Sequence, residues 1–550
     1  MFNATEHQAV RKKQYRREGH WGNATLADFW HMSVLCFPEK IAVVDAYGAT
    51  DTYESANRKA NSIASFLKKA GIVPGDFVSF QLPGWAEFLP ICMACFKIGA
   101  IANPLLPNFG LCELVYMLNK CESKLFFVPE SFKNYRYSNM MDELPSQVPS
   151  LKNMVVVDKY KAYTGKLPSL NQIFRNPHIE EEFLERKQKA DDVAAVIFTS
   201  GTESRPKGVM LTHNNIIAAE RAFNTAFHIN YNDAMLMPAP VAHATGFLHG
   251  VISPMMVGGK TVLQDIFDCR TSVDLMAEQA CTYMMGATPF VHDILECLTE
   301  NKQNIPSLRF FLCGGAPIPQ SMKQHSLDLG IKLISVYGST ESTPHTATCV
   351  DEPLDNLLQT DGKALAGIEV RVVNEKRETL GPSCEGEEAS RGPNVFVGYL
   401  KEPELTKSVL DDEGWYYSGD LCVMNPEGYI RITGRKKDVI VRGGENISAT
   451  EVEKILLSHP DIQEAAVVAM PDPRLGEKAC AYVVLKKPDS ALTLSEVIKH
   501  FASWNVAKFK YPQRLELLNA LPKTASGKIQ KALLRKDICQ KLKAELQMNQ

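Results

Sequence analysis

Short β-rich runs alternate with helical stretches along most of this sequence, and no other feature restricts its fold as much. In the early part, the strand-like runs Ile41–Asp45 and Phe77–Gln81 flank a helical stretch, Ser55–Ala70. Further strand-like runs follow at Leu125–Val128, Met154–Val157, Ala194–Phe198, Thr261–Leu263, Phe310–Cys313 and Leu333–Val336. Alternation of this kind predicts an α/β fold in which parallel-rich sheets are covered by helices.

The pattern changes from about Val370 onward, where the strands become shorter and are separated by turns. The runs Glu369–Val373 and Gly428–Thr433 predict a small β-rich subdomain over about 370–435. A further α/β stretch predicts a small, mobile C-terminal α+β domain, with elements at Thr450–Ser458, Ile462–Met470, Ala479–Lys486, Leu494–Trp504 and Arg514–Leu518. A chain of 550 residues is too long for one hydrophobic core. The charged turn Gly434–Asp438 is the candidate boundary, which divides the chain into residues 1–435 and 436–550.

Composition and charge exclude several classes of protein. Apolar residues make up 45% and charged residues 22% of the chain, as in an ordinary globular protein. The formal net charge of −3 gives no electrostatic reason to expect nucleic acid as a partner. The longest apolar stretch, Phe88–Pro107, is interrupted by Lys97, which favours a buried helix followed by a strand over an integral membrane segment.

The N-terminal sequence and the cysteines indicate in which cellular compartment the protein is located. Residues Met1–Glu18 contain no apolar run, so a secretory signal is not expected. The 14 cysteines are scattered, and the CxxC pair Cys92 and Cys95 has no second pair or nearby histidine that would complete a metal site. Two buried thiols on a helix are the better interpretation. We therefore predict a cytoplasmic protein and leave peripheral membrane contact open.

The strongest chemical motif is Phe198–Gly208, which reads FTSGTESRPKG and follows the apolar strand Ala194–Phe198. Hydroxyls and a glycine directly after a strand can present O–H and backbone N–H donors to phosphate oxygens, and Lys207 adds a positive charge. The order Pro-Lys-Gly differs from a Walker A loop. A solvated polar turn is the alternative interpretation of this segment taken alone.

This segment resembles the phosphate loop of the adenylate-forming superfamily, which contains acyl-CoA synthetases, peptide-synthetase adenylation domains and luciferases. The resemblance implies that Thr199, Ser200, Gly201, Thr202 and Lys207 bind the phosphates of ATP. In one respect the chain departs from the family, which usually has Thr-Gly where this chain has Glu203-Ser204. The lost glycine stiffens the loop and the carboxylate lies near the expected triphosphate, so we expect an altered affinity for ATP.

The remaining motifs of the superfamily follow in the expected order. Segment Ala242–Phe247 resembles the part that lines the acyl pocket, and Leu312–Pro317 resembles the adenine-side loop. The segment Tyr337–Ser342 resembles the motif whose tyrosine stacks on adenine. The resemblance implies the acyl-pocket residues His243, Gly246, Phe247, Gly286, Thr288 and Cys313, and the nucleotide-site residues Gly314, Gly315, Ala316, Tyr337, Gly338 and Ser339. It also implies catalytic roles for His243, Thr340 and Glu341, with Thr340 on phosphate and Glu341 on Mg²⁺.

Three motifs lie in the last third of the chain. Trp415–Asp420 resembles the ribose motif, in which Asp420 accepts hydrogen bonds from both sugar hydroxyls. Gly434–Asn446 resembles the hinge motif. Leu521–Ile529 resembles the motif of the adenylating lysine, here Lys528. Within the hinge motif, the resemblance places Arg435 near ribose and phosphate, Lys437 at the hinge, and Gly443 and Gly444 in the CoA tunnel.

Together these motifs imply an ATP-dependent acyl-CoA synthetase that uses ATP, CoA and Mg²⁺ and acts on a small carboxylic acid. Within the superfamily the chain looks most like bacterial short- and medium-chain fatty-acid–CoA ligases. The pocket segments contain no charged side chain, which favours an unbranched aliphatic acid. Two alternatives remain: an adenylating enzyme with a carrier-protein acceptor, and a nucleotide-binding protein without activity, which only Glu203-Ser204 favours.

Overall fold

The computed structural model describes residues 6–133, 135–159, 162–175, 188–199, 206–316, 318–442, 445–487, 491–504, 506–524 and 527–548. The chain divides into two compact units. The first unit comprises Met1–Thr199, Pro206–Val370 and Ser390–Tyr416, and the second includes Arg371–Ala389 and Tyr417–Gln550.

The strands of the described residues are short and are spread over both units. In chain order they are β1 (Ile41–Asp45), β2 (Thr50–Thr52), β3 (Phe77–Gln81), β4 (Ile101–Leu105), β5 (Leu125–Pro129), β6 (Ser131–Phe132), β7 (Tyr135–Arg136), β8 (Asn153–Val157), β9 (Val193–Thr199), β10 (Lys207–Thr212), β11 (Ala234–Met237), β12 (Lys260–Leu263), β13 (Tyr283–Gly286), β14 (Phe310–Gly314), β15 (Lys332–Ser339), β16 (Thr343–Ala347), β17 (Lys363–Ala364), β18 (Glu369–Val373), β19 (Glu385–Arg391), β20 (Gly398–Tyr399), β21 (Tyr416–Met424), β22 (Ile430–Arg435), β23 (Val439–Arg442), β24 (Glu445–Ser448), β25 (Ile462–Asp472), β26 (Gly476–Leu485) and β27 (Arg514–Leu517).

Helices occupy most of the segments between these strands. They are α1 (Glu6–Arg17), α2 (Leu26–Cys36), α3 (Tyr53–Lys69), α4 (Phe88–Ile98), α5 (Leu111–Cys121), α6 (Ser138–Gln147), α7 (Leu170–Phe174), α8 (His213–Ala226), α9 (Ser253–Val257), α10 (Cys269–Glu278), α11 (Thr288–Asn301), α12 (Gln320–Asp328), α13 (Leu354–Gln359), α14 (Pro403–Val409), α15 (Ala449–Leu457), α16 (Leu494–Ser503) and α17 (Lys531–Met548). A π-helix spans Thr245–Ile252, and 3₁₀ turns span Lys436–Asp438 and Lys508–Lys510.

The larger sheet of the first unit has the strand order β17-β16-β15-β14-β13-β11-β12-β1-β2. Its inner strands from β15 to β1 run parallel, and antiparallel strands close both ends. Because parallel strands point the same way, the loops that follow β11, β13, β14 and β15 all leave from one carboxyl edge. This edge carries the segments that the sequence assigns to the acid and the adenine.

The second sheet of the same unit has the order β20-β10-β9-β4-β3-β5-β8. Strands β9, β4, β3, β5 and β8 run parallel, whereas β10 and β20 are antiparallel additions beside β9. The parallel-rich α/β architecture predicted from the sequence is therefore confirmed. Most predicted strands agree with the observed bounds to within two residues, and Ile41–Asp45, Phe77–Gln81 and Glu369–Val373 match at both ends.

The apolar run Phe88–Pro107 forms a buried helix and a following strand, as the sequence predicts. Helix α4 buries Phe88 and Phe96 completely, and it ends at Gly99, whose φ of 78° is the left-handed conformation that favours glycine. Cys92 and Cys95 are both buried on this helix, and burial raises the pKa of each thiol. Within the described ranges, no helix combines the length and apolar character needed to cross a membrane.

The second unit contains two sheets. The strands β18, β19, β21 and β22 form the β-rich subdomain, and the C-terminal sheet has the order β24-β23-β26-β25, with β27 parallel to β26. Successive residues of β25 face opposite sides, so Ala465 and Val467 enter one core while Ala466 and Val468 enter another. Helix α15 begins at the N-cap Ser448, whose hydroxyl accepts a hydrogen bond from the Glu451 amide.

The compact units group the β-rich subdomain with the C-terminal segment. The predicted division at Arg435/Lys436 concerns which part of the chain moves during the reaction, and it stays a prediction.

Candidate active site

The predicted phosphate loop connects two adjacent strands of the first unit. Strand β9 ends at Thr199 and β10 begins at Lys207, and these two residues are direct cross-strand partners in the antiparallel pair. The structure therefore places two of the five predicted phosphate ligands, Thr199 and Lys207, at the two ends of the loop. The predicted ligands Ser200, Gly201 and Thr202 lie outside the described residues, as do the unusual Glu203 and Ser204.

The predicted adenine and metal motif forms the turn between β15 and β16, with Thr340 and Glu341 at its tip. Gly338 lies opposite Pro344 in this hairpin, and a Cβ at Gly338 would collide with the carbonyl oxygen of Thr343. Only glycine permits so close an approach of two backbones. Tyr337, which the sequence predicts to stack on adenine, is half-buried.

Glu341 is held by a residue that the sequence did not point to. Its carboxylate oxygen Oε1 accepts a 2.8 Å hydrogen bond from the hydroxyl of Tyr399, on the two-residue strand β20. Both side chains are buried, and desolvation together with the carboxylate raises the pKa of Tyr399, so the phenol is the donor. The Nζ atom of Lys207 lies 5.2 Å from the centroid of the same ring.

Tyr399 carries little signal in the sequence, because a Gly-Tyr pair at the end of an irregular segment matches no catalytic pattern. The stretch Gly386–Asn394, which resembles the fatty-acid–CoA ligases, ends five residues before it. Only the pairing of β20 with β10 brings the phenol to the phosphate-loop side of the unit.

The predicted adenine-side loop and acyl-pocket residues meet at the neighbouring strand ends. Gly314 ends β14, and Gly315 and Ala316 follow it at the surface. The Thr288 hydroxyl lies 3.8 Å from the Cys313 Sγ and donates to the carbonyl of Ala316 at 3.5 Å. Burial raises the pKa of Cys313 to about 12, so its thiol stays neutral at physiological pH.

The remaining acyl-pocket candidates occupy the loop and π-helix after β11 and the end of β13. His243 is half-buried, and its Nδ1 atom accepts a hydrogen bond from the Thr245 amide at 3.3 Å. A Cβ at Gly246 would collide with the carbonyl of Pro240, so this turn also requires glycine. Phe247 is fully buried and packs edge-on against Phe88, with 6.4 Å between the ring centroids.

The observed positions of these residues do not test whether they line the acyl pocket, so their assignment to the pocket stays a prediction. His243 keeps exposed surface at the carboxyl edge, and Gly286, the last residue of β13, is buried at the same edge. Phe247 contributes to the hydrophobic core of the unit. The π-helix Thr245–Ile252 carries both Gly246 and Phe247, and π-helical turns occur frequently at functional sites.

The second unit holds a further group of charged residues of the predicted site. Asp420 on β21 lies directly opposite Arg435 on β22, and the Arg435 Nε atom is 2.7 Å from the Asp420 Oδ1 atom. Asp420 is largely buried and Arg435 is half-exposed. The antiparallel register therefore places the predicted ribose carboxylate and the predicted phosphate guanidinium side by side.

Lys528 belongs to the same charged cluster. Its backbone is fixed by a turn in which the Thr524 amide donates to the Lys528 carbonyl at 2.8 Å. Although the residue as a whole keeps exposed surface, desolvation of the amine lowers the pKa of Lys528 to about 8. The positive charges of Arg435 and Lys437 lower it further, whereas Asp420 and Asp438 oppose the shift. Three cations gathered around two carboxylates form a site suited to an anionic ligand.

The predicted hinge residue Lys437 lies in the 3₁₀ turn Lys436–Asp438, which is tied to the C-terminal helix α17. The Arg535 guanidinium donates to the Asp438 carboxylate, and it also donates to the Lys437 carbonyl at 3.3 Å. The Lys531 amine lies 3.7 Å from the Asp438 carboxylate. The sequence did not point to these two basic residues. The predicted CoA-tunnel residues Gly443 and Gly444 lie outside the described residues.

Comparison with known proteins finds two family models that match this chain. A family described as "AMP-binding enzyme" matches residues 31–400, and one described as "AMP-binding enzyme C-terminal domain" matches residues 451–528. The medium-chain fatty-acid–CoA ligase of Escherichia coli (strain K12) is 53% identical over 533 residues, which cover 97% of this chain and 94% of the relative.

Two solved structures extend the comparison. The ATP-bound structure of MatB from Rhodopseudomonas palustris superposes with a TM-score of 0.83 at 27% identity, covering 94% of this chain and 99% of MatB. A fatty acyl CoA synthetase from Mycobacterium tuberculosis superposes with a TM-score of 0.72 at 25% identity, covering 93% of this chain and 98% of that protein.

Proposed function

Because the chain belongs to the AMP-binding enzyme family, we propose that it is an ATP-dependent acyl-CoA synthetase. It converts a short- or medium-chain fatty acid, ATP and CoA to acyl-CoA, AMP and pyrophosphate through an acyl-adenylate. The observation that carries this proposal is the 53% identity to a medium-chain fatty-acid–CoA ligase over 97% of the chain. The cytoplasm stays our prediction for its location.

In the first unit, the residues bind and orient the reactants. The half-buried ring of Tyr337 offers a face for adenine, and Thr199 and Lys207 stand at the two ends of the phosphate loop. The acid enters near Thr288 and Cys313, whose own side chains carry no charge. Each methylene of an aliphatic tail that is buried there contributes about 0.8 kcal/mol, so specificity rises with chain length until the pocket is full.

In the second unit, charged residues bind the ribose and stabilise the negative charge of the phosphates. The Asp420 carboxylate accepts hydrogen bonds from the ribose hydroxyls, and its 2.7 Å ion pair with Arg435 holds the two side chains together. The Lys528 amine donates to the oxygens on which negative charge grows as the fatty-acid carboxylate attacks the α-phosphate and pyrophosphate leaves. The CoA thiolate then attacks the activated carbonyl and AMP leaves, so the enzyme needs no nucleophile of its own.

Glu341 is the proposed ligand for Mg²⁺, and its surroundings fit that role. The carboxylate is buried at the tip of the β15–β16 hairpin, and among the described residues its side-chain hydrogen-bond donor is a neutral phenol rather than a cation. Across the described residues, no group of three or more His, Cys, Asp or Glu side chains could hold a metal ion. A single carboxylate suits a magnesium ion that takes its other ligands from phosphates and water, and the ion supplies charge neutralisation when bound.

The experiment that tests the proposal is a screen of carboxylic acids for ATP-dependent pyrophosphate release, with and without CoA. We expect release with saturated straight-chain acids, AMP and acyl-CoA as final products, and a kcat/KM that rises roughly fourfold per added methylene until the pocket is full. A best substrate that is aromatic or a dicarboxylate would refute the proposed substrate class. Retention of the acyl-adenylate with CoA, and its release by a phosphopantetheinyl carrier protein, would favour the carrier-protein alternative.

A further inference from the structure

Tyr399 is fixed by the backbone beside the strand that closes the phosphate loop. In the antiparallel pair of β20 with β10, Tyr399 is the cross-strand partner of Val209. The Leu400 amide donates to the Gly208 carbonyl at 2.8 Å, so the backbone on both sides of the tyrosine is anchored. These bonds fix the backbone from which the phenol projects.

The same short segment also holds the backbone of Glu341. The Phe396 amide donates to the Glu341 carbonyl at 2.8 Å, and three residues later the Tyr399 hydroxyl donates to the Glu341 Oε1 atom at 2.8 Å. The rings of Phe396 and Tyr399 pack edge-on, with 5.0 Å between their centroids. This segment therefore holds both the backbone and the side chain of Glu341, which restricts the conformations that the carboxylate can adopt.

The phenol lies between two opposite charges and neutralises neither. Lys207 lies over the ring face, Glu341 accepts from the ring hydroxyl, and within the described residues no ion pair joins Lys207 to Glu341. A direct lysine–glutamate pair would cancel the charge that each needs to meet a ligand. A neutral donor to Oε1 leaves the lysine free to meet phosphate and the second carboxylate oxygen free to meet a cation.

We propose that Tyr399 is the positioning residue for the Glu341 carboxylate, which it orients toward a nucleotide-bound divalent cation while it keeps Lys207 apart from that carboxylate. This inference rests on the proposed function only in that the protein binds a magnesium nucleotide. The hydroxyl raises the affinity for the magnesium complex of the nucleotide and not for the nucleotide alone.

The test is the coupling between Mg²⁺ and a non-hydrolysable ATP analogue, α,β-methylene-ATP, measured by calorimetric titration with excess Mg²⁺ and with EDTA. In the parent protein, Mg²⁺ tightens binding of the analogue. Tyr399→Phe keeps the ring under Lys207 and removes only the hydroxyl. In this variant, we expect the factor by which Mg²⁺ tightens binding of the analogue to be roughly tenfold smaller, because a hydrogen bond to a charged group contributes about that much. Binding of the analogue without metal should be unchanged.

Matched variants separate positioning from packing. Glu341→Gln should abolish the coupling, and the double variant Tyr399→Phe/Glu341→Gln should resemble Glu341→Gln alone. Tyr137→Phe is the control, since it removes a buried hydroxyl that donates to the Pro107 carbonyl at 3.0 Å, and its coupling should equal the parent's. If Tyr399→Phe does not fold, Glu341→Asp, which withdraws the carboxylate from the hydroxyl by one methylene, should lower the coupling in its place.

Three results would overturn the inference: equal weakening with and without Mg²⁺ in Tyr399→Phe, an unchanged coupling in that variant or in Glu341→Asp, or additive effects in the double variant. The binding measurement needs neither the acid nor CoA. A parent protein that binds the analogue with magnesium coupling but releases no pyrophosphate with any acid would refute the proposed function and leave the role of Tyr399 measurable.

Discussion

The two units of this protein carry different kinds of recognition. In the first unit, the candidate site is made of strand ends and turns in which Gly246 and Gly338 bring backbones close together and Glu341 is held rigidly by Tyr399. In the second unit, it is made of the charged side chains of Asp420, Arg435 and Lys528. From this contrast we expect the first unit to act through fixed geometry, which both half-reactions need, and the charged side chains of the second unit to act at particular steps.

The largest effect should come from Lys528→Ala, because removing one preorganised donor to a developing charge costs roughly 10²–10³ in rate. We expect this loss in pyrophosphate release, whereas supplied acyl-adenylate and CoA should still give acyl-CoA at nearly the parent rate. Lys523→Ala removes a lysine of the same loop that pairs with Glu464, and it serves as the control. Equal loss in both half-reactions would show that Lys528 is not specific to adenylation.

Lys437→Pro should have the opposite selectivity. Proline fixes φ near −65° and would oppose the backbone change that the predicted hinge must make. We expect acyl-adenylate to form almost normally. The rate of thioester formation should fall roughly 10²-fold, because reacting groups that are not correctly aligned react about that much more slowly. Single-turnover assays of each half-reaction measure this, with Lys437→Ala as the variant that loses the charge but keeps the backbone freedom. Normal thioester formation in Lys437→Pro would argue against a hinge at this residue.

Gly338→Ala tests whether the first unit serves both half-reactions through its shape. The added Cβ would collide with the Thr343 carbonyl, and relieving that collision should cost about 2 kcal/mol of unfolding free energy and displace Tyr337. Both half-reactions should slow by a similar factor, and the melting temperature should fall. Gly22→Ala is the control, because its Cβ would meet its nearest neighbour, the Ala24 amide nitrogen, at 4.0 Å. If Gly338→Ala slowed only one half-reaction, the expectation that the first unit serves both half-reactions would be wrong.

The smallest effect concerns pH. The lowered pKa of Lys528, about 8, means that the amine is cationic below this pH and loses its proton as the pH rises through it. The kcat/KM for ATP in pyrophosphate release, which reports ionisations of the free enzyme, should fall about fivefold between pH 8 and pH 9. In Lys528→Arg the guanidinium stays charged, so any activity that remains should not fall over this range. If kcat/KM of the parent enzyme did not change up to pH 10, the lowered pKa of Lys528 would be contradicted.

Much of the candidate site could be proposed from the sequence because its motifs lie in contiguous segments. Hydroxyls and glycines after Phe198, the turn at Tyr337–Ser342 and the lysine turn Leu521–Ile529 each keep their motif within a dozen residues. Strand-like runs also set the sheet type, since alternation with helices leaves parallel connection as the simple solution. The parallel direction then brings the loops after β11, β13, β14 and β15 to one edge without further information.

By itself, then, the sequence determined the α/β class, the order of the strands along the chain and the segments that carry the chemistry. Only the tertiary structure decided which distant side chains meet: Tyr399 with Glu341, Asp420 with Arg435, and Arg535 with Asp438. These pairs depend on the register of strands and on helix packing, and a shift of one residue in a strand would turn each side chain to the opposite face. No local pattern records such a register, because it is set by the burial of many apolar side chains at once.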